Sequence, residues 1–425
     1  MEYFSYHEGE LYAEEVAIST ITDAIKPPFY LYSARALRHN FKKFQEALHA
    51  SCPNSLPLIA YALKANSNSA VLRLLAREGA GADVVSGGEL YRALNAGINP
   101  QKIVFSGVGK TSEEMDFALT HGILCFNIES EAELYHLNDR AQRLGLKAPI
   151  SLRVNPDVDA GSHAKISTGR LEDKFGISYH KAPSLYAQAA KLPNIEARGI
   201  DVHIGSQICQ LAPFDKAFAR IAHLTQTLRE NGHPIRHIDV GGGLGIDYFN
   251  GEEPPSVTDY AQIISRHFAP LDIDLICEPG RLIVGNAGIL VTKVLYLKQT
   301  DQKNFIIVDA AMNDLIRPTL YEARHKIIPV RLPDEKTALI CADIVGPVCE
   351  SGDFLAQNHE MTLPKQSDLL SVMSAGAYGA TMSSSYNSRP LVPEVLVSGD
   401  QFYTVRRRPS YEEMLDLEHV PDWLR

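Results

Sequence analysis

The chain has 425 residues, 45% of them hydrophobic and 22% charged, which excludes disordered, collagenous and disulfide-scaffold classes and leaves room for two domains. Lys and Arg total 41 against 51 Asp and Glu, and the resulting formal net charge of −10 disfavours nucleic acid and anionic membrane surfaces as partners. The basic run Arg406 to Arg408 is short and lies near the C-terminus.

The opening MEYFSYHEGELYAEEV is acidic and lacks an apolar run behind a basic start, so no signal or transit peptide is expected. Six cysteines, at 52, 125, 209, 277, 341 and 349, form no CxxC pair, which argues against structural zinc and a disulfide framework and points to a reducing cytoplasm; no metal site is expected. Next comes PPFYLYS, strand-like, and then a helix over SARALRHNFKKFQEAL.

From there a unit repeats: a short β-rich run, then helical periodicity, usually closed by Gly. The runs are LIAYAL (58–63), ADVV (82–85), IVFSG (103–107), ILCFNI (123–128), ISLRVN (150–155), GIDVHI (199–204), HIDVGG (237–242) and IDLICE (273–278). Eight such units predict an α/β fold, a (β/α)8 TIM-type barrel over 36–282, with a doubly wound open sheet as the competitor. The wide gap from 155 to 199 reads as a long loop with one short helix, a candidate substrate cover.

The most apolar stretch, 282–297, is broken by Asn286 and Lys293 and is too short to span a bilayer. Beyond Gly280 the pattern becomes β-branched and aromatic runs without long helices, which predicts an all-β domain, a β-sandwich or β-barrel, over 283–425 with 1–35 joined to it.

In a barrel, reactive groups come from the C-terminal ends of strands. Those positions carry Lys64, Asp83 with Ser86, Arg153 with Asn155, His203 with Ser206, Gly241 to Gly243, and Glu278 with Arg281. Lys64 behind an apolar strand can be a nucleophilic amine, or a lysine that snorkels to solvent. The glycines of GGGLGI are not a dinucleotide fingerprint, because position 246 is Ile; they suit a phosphate cradle or a tight turn. Glu278, followed by Pro279, can keep a pyridinium nitrogen protonated, or can pair with Arg281 at the surface. His203 can stack on a ring and Ser206 can donate to a phosphate, although a histidine there also suits a core. An amine, a phosphate cradle, a carboxylate and a flat stacking group fit pyridoxal phosphate better than a metal or a nicotinamide.

The motifs YALKAN, DVVSGGEL, HIGSQ, GGGLGI, EPGR, CESGDF and AGAY, in that order, resemble the fold-type III pyridoxal-phosphate decarboxylases, whose barrel is alanine racemase-like, and among them the diaminopimelate decarboxylase family. The resemblance implies Lys64 as Schiff-base lysine, His203 stacked on the cofactor ring and Glu278 at its nitrogen. It places Asp83, Ser206, Gly241, Gly242, Gly243, Pro279, Gly280, Arg281 and Tyr378 around the cofactor. Substrate residues would be Arg281, Arg317 and Tyr321 of RPTLY, Glu350 and Tyr378, with Cys349 as proton donor. The residues of CESGD would come from the second subunit of a homodimer with a shared active site, and HAKISTGRLEDKFGI would cover the substrate. The implied activity is decarboxylation of meso-2,6-diaminopimelate to L-lysine.

Three other readings make different predictions. A related barrel decarboxylase would act on carboxynorspermidine, ornithine or arginine with the same cofactor. A Schiff-base aldolase would use Lys64 alone and leave GGGLGI and Glu278 unexplained. A cofactor-carrying protein would have no use for CESGD or RPTLY.

Overall fold

The computed structural model describes residues 3–424 apart from 54, 162–164, 166–167, 170–173, 250 and 335. The chain divides into two compact units, one of Leu37–Asp247 with Glu252–Ile283, the other of Met1–Ala36, Tyr248–Gly251 and Val284–Arg425.

The first unit is the barrel. Its strands are β1 (Leu58–Ala62), β2 (Gly81–Val84), β3 (Ile103–Phe105), β4 (Cys125–Ile128), β5 (Ala148–Asn155), β6 (Ile195–Asp201), β7 (His237–Asp239) and β8 (Asp274–Cys277). Every neighbouring pair is parallel, and the ring closes where β8 pairs with β1. Closure decides against the open doubly wound sheet. Buried from both faces, the strands read as near-continuous apolar runs rather than alternating ones.

The loops that follow the strands are tied to the helices by side-chain caps. Asn68, Ser86, Thr111, Ser130 and Ser256 each accept a backbone N–H of the first helical turn, and Thr111 with Glu114 completes a reciprocal capping box. Each such cap is worth about 1 kcal/mol. Gly122 and Gly145 close their helices in the left-handed conformation that glycine adopts without a steric cost.

The sixth strand departs from the expected 199–204. It begins at Ile195 and ends at Asp201, with a register shift against β5 between Ala197 and Gly199. Gly199 is required there, because the His237 ring occupies the space a Cβ would take, 2.1 Å from its ideal position. The seventh strand is also shorter than expected, ending at Asp239 before Gly241 turns with φ +66°. As a result Asp201 and Asp239 are strand-final, and His203 lies beyond the strand. A helix, Ala182–Ala189, lies between β5 and β6 after the DVDAGSHAKISTGRLEDKFGI segment in which a short helix was expected, and 162–164, 166–167 and 170–173 of that segment lie outside the described residues.

The second unit is β-rich. One sheet runs in the order 354–362, 339–345, 304–308, 288–299, 29–33, 394–398, 401–406, and 288–299 also pairs with 369–372. The opening residues contribute Phe29–Ser33 to this sheet, as the PPFYLYS pattern predicted, and Leu31, Ile289, Val291, Val395 and Val397 form part of its core.

Candidate active site

The C-terminal ends of the barrel strands bring together a lysine, a set of buried carboxyls and a glycine loop. Lys64 follows β1 in a single 3-10 turn, and its Nζ lies 2.5 Å from Oδ2 of Asp83 on β2. Asp83 is fully buried, whereas the Lys64 side chain keeps 34% of its surface exposed. Its amine is thus oriented by a buried anion, and about a third of the side chain remains exposed.

Glu278 follows β8 and is 5% exposed. Its N–H donates to the Gly241 carbonyl at 2.7 Å, and Ser106 Oγ lies 3.4 Å from its Oε1. Carboxyl oxygens of Asp201, Asp239 and Glu278 all lie within 4.8 Å of one another. Three carboxyls taken out of water so close together cannot all ionise. Burial first, and then the neighbouring anions, push Glu278 and Asp201 well above the carboxylate range, and Asp239 rises to about 6 for the same leading reason.

This has a consequence for stability. Carboxyls raised in the folded state stabilise below their unfolded pKa and lose that contribution as pH rises through the folded value. The contribution of Asp239 is therefore lost between about pH 4 and pH 6.5, and over that range the cofactor-free wild type is expected to lose thermal stability relative to Asp239→Asn as pH rises; parallel thermal melts of the two proteins check it.

The glycine triplet is demanded first by the chain itself. A Cβ on Gly241 would lie 2.5 Å from the Val202 carbonyl oxygen, on Gly242 2.2 Å from that of Glu278, and on Gly243 2.3 Å from that of Gly205. The N–H of Gly241 donates to Asp239 Oδ1 at 2.9 Å, and that of Gly242 to His203 Nδ1 at 3.2 Å. Because Nδ1 accepts, the His203 proton sits on Nε2, and burial together with Arg153 and Lys64 holds this ring far below the usual imidazole pKa. Of the triplet, only Gly243 has an N–H without an internal partner among the described residues. Beside the loop, Arg281 donates from Nη2 to Ser206 Oγ at 3.0 Å. Gly280 packs against Ala62 and Ala65 on either side of Lys64, where its own Cβ would come within 3.1 Å of both side chains.

In the second unit, Arg317 and Tyr321 open and close the five-residue helix Arg317–Tyr321. Cys349 and Glu350 are exposed, and Tyr386 donates its hydroxyl to Glu350 Oε1. Asp353 of the same CESGD motif is buried and accepts from Met312 N at 2.7 Å and Val348 N at 2.6 Å, which pins the turn. Tyr378 sits at φ +55°, a left-handed backbone that costs about 1–2 kcal/mol for a residue with a side chain. Such strain persists only where its surroundings over-determine it.

Residues that a sequence reading missed are Asp201 and Asp239, which underlie the electrostatics at Glu278. Their signal was a carboxylate ending an apolar strand, two residues before His203 and Gly241 respectively.

The donor set suits a phosphorylated aromatic aldehyde: an amine oriented by a buried anion, a buried carboxyl for a ring nitrogen, a neutral imidazole, and a Gly243 N–H without an internal partner among the described residues. Comparison with known proteins agrees. Residues 35–285 match the family described as pyridoxal-dependent decarboxylase, pyridoxal binding domain. The chain is 52% identical to diaminopimelate decarboxylase of Pseudomonas fluorescens over 97% of its length and 98% of the relative's. Among solved structures it is similar to the diaminopimelate decarboxylases of Helicobacter pylori, complexed with L-lysine (TM-score 0.89, 42% identity, 94% and 98% coverage), and M. jannaschii, in co-complex with L-lysine (TM-score 0.94, 33% identity, 99% of each).

Proposed function

The chain belongs to the diaminopimelate decarboxylase family of pyridoxal-dependent decarboxylases, and we propose that it removes one carboxylate of meso-2,6-diaminopimelate to give L-lysine and carbon dioxide. It is a carboxy-lyase that uses pyridoxal 5'-phosphate and serves the last step of lysine biosynthesis by the diaminopimelate route. The observation that carries the chemical reading is the placement of the Lys64–Asp83 pair and the buried Glu278 at one end of the barrel.

When bound, pyridoxal 5'-phosphate supplies the electron sink for the pair left by the breaking carbon–carboxylate bond. Lys64 would hold the cofactor's aldehyde end, with Asp83 orienting the amine. Glu278 would hold the ring nitrogen, whose positive charge would offset the crowding of Asp201 and Asp239. His203, neutral and fixed by Gly242, would hold the cofactor's ring. Gly241, Gly242, Gly243, Ser206, Gly280 and Arg281 would hold its phosphate side, and Tyr378 is proposed for the same role.

Cys349 returns a proton to the carbon that lost its carboxylate. Arg317 and Tyr321 bind the carboxylate of the end that does not react, and Glu350 takes its amine. The exposure of Cys349 and Glu350, on a turn pinned by a buried Asp353, supports their donation to a second subunit of a homodimer. Among the described residues no helix is long and apolar enough to cross a membrane, and we place the enzyme in the cytoplasm.

The test of function is a substrate panel: purified chain with pyridoxal 5'-phosphate and meso-diaminopimelate, ornithine, arginine or carboxynorspermidine. L-lysine from the first and little turnover of the others is expected, because ornithine and arginine lack the second carboxylate for Arg317. Preferred turnover of another member rejects the substrate assignment.

The shared site has its own test. Lys64→Ala and Cys349→Ala chains, each inactive or nearly so, regain about a quarter of wild-type activity when mixed, since half the dimers are hybrids with one intact site. No recovery after verified exchange of subunits contradicts it.

A further inference from the structure

The guanidinium of Arg317 is gripped from two sides within its own unit. Nη1 donates to His325 Nε2 at 3.0 Å, and the guanidinium carbon lies 4.6 Å from the centre of the Tyr248 ring. All three residues are buried, Arg317, His325 and Tyr248 at 5% exposure each. Tyr248 meets the His325 ring edge-on, with centroids 5.2 Å apart.

The tautomer of His325 follows from its other contact. Nδ1 lies 2.9 Å from the Met373 carbonyl oxygen, which can only accept, so Nδ1 carries the proton. Nε2 of the neutral ring is then left with the lone pair that an arginine N–H requires. A neutral imidazole and an aromatic face orient the guanidinium without cancelling its charge. Both contacts fix the direction of the cation, which is what a carboxylate clamp needs.

We propose that His325 is a positioning residue for Arg317, and that through it His325 sets the preference for amino acids that keep a carboxylate at the unreacted end. The inference rests on the reading of Arg317 as the clamp for that carboxylate. L-lysine keeps this carboxylate; 1,5-diaminopentane is the same molecule without it. The difference in their affinities therefore reports the clamp alone.

Equilibrium binding of both compounds is measured on the cofactor-loaded enzyme for wild type, His325→Ala, His325→Gln and Arg317→Met, beside KM and kcat for meso-diaminopimelate. In His325→Ala, L-lysine binding is expected to weaken about tenfold, the size of one lost hydrogen bond to a charged group. Diaminopentane binding stays within about twofold of wild type, and KM rises far more than kcat falls. His325→Gln, whose amide can accept from Arg317 and donate to Met373, retains most of the preference. His325→Leu, which offers volume without an acceptor, replaces the Ala variant if the latter does not fold.

Equal losses for both ligands, or for neither, overturn the proposal, as does a Gln variant no better than Leu. The Arg317→Met arm separates the two levels. If that variant still prefers L-lysine, the clamp reading itself is wrong. If it loses the preference while His325→Ala keeps it, the clamp stands and the role of His325 is refuted.

Discussion

Lys64→Ala is expected to lower kcat for meso-diaminopimelate decarboxylation by about 10⁴-fold or more, while the fold and its melting behaviour are retained. The size follows from the proposed role of the amine, which would fix the cofactor's aldehyde in place for the substrate, since holding reacting groups in position can be worth about 7–11 kcal/mol. The fold should survive because Lys64 occupies a short turn whose neighbours Leu63 and Ala65 supply the buried contacts. Single-turnover and steady-state assays on the folded variant measure the loss. Activity within tenfold of wild type would remove Lys64 from the chemistry.

Glu278→Gln is expected to cost about 10²–10³-fold in kcat with KM little changed, in the range found when one preorganised electrostatic partner is taken from a water-excluded site. Gln keeps the shape and one acceptor, but it cannot supply the negative charge that keeps a ring nitrogen protonated. The surroundings make the position exacting. Asp201 and Asp239 stand within 4.8 Å, so a lone negative charge at Glu278 is disfavoured until a cation answers it. A protonated ring nitrogen of the cofactor would be such a cation, and on that reading the variant binds the cofactor more weakly as well. A kcat within threefold of wild type would show that Glu278 does not hold the ring nitrogen.

Much of this site was legible in the sequence because barrel strands end where chemistry begins. Lys64, Asp83, Glu278 and the Gly241–Gly243 loop each follow or end a short apolar run, and all are found at that end of the barrel. Strand boundaries were less legible. Asp201 and Asp239 read as interior strand positions because Val202 and Val240 continue the apolar pattern, yet the ladder stops when Gly241 turns into the left-handed region. The acidic cluster beside Glu278 is a product of that stop.

The glycine triplet shows a different limit. Glycines near a phosphate suggest room for a ligand, but here each absent side chain makes way for a carbonyl of a neighbouring segment. Spacing cannot distinguish these causes. Arg317 is a third case: RPTLY names the arginine, while the residues that orient it, Tyr248 and His325, come from 69 positions before and eight after, and no local pattern joins them.

The most direct measurement is to load the wild-type protein with pyridoxal 5'-phosphate, reduce it with borohydride and map the modified peptide by mass spectrometry. A phosphopyridoxyl group on Lys64, in the peptide containing YALKAN, is the predicted result. Modification of a different lysine with Lys64 unmodified would contradict the account.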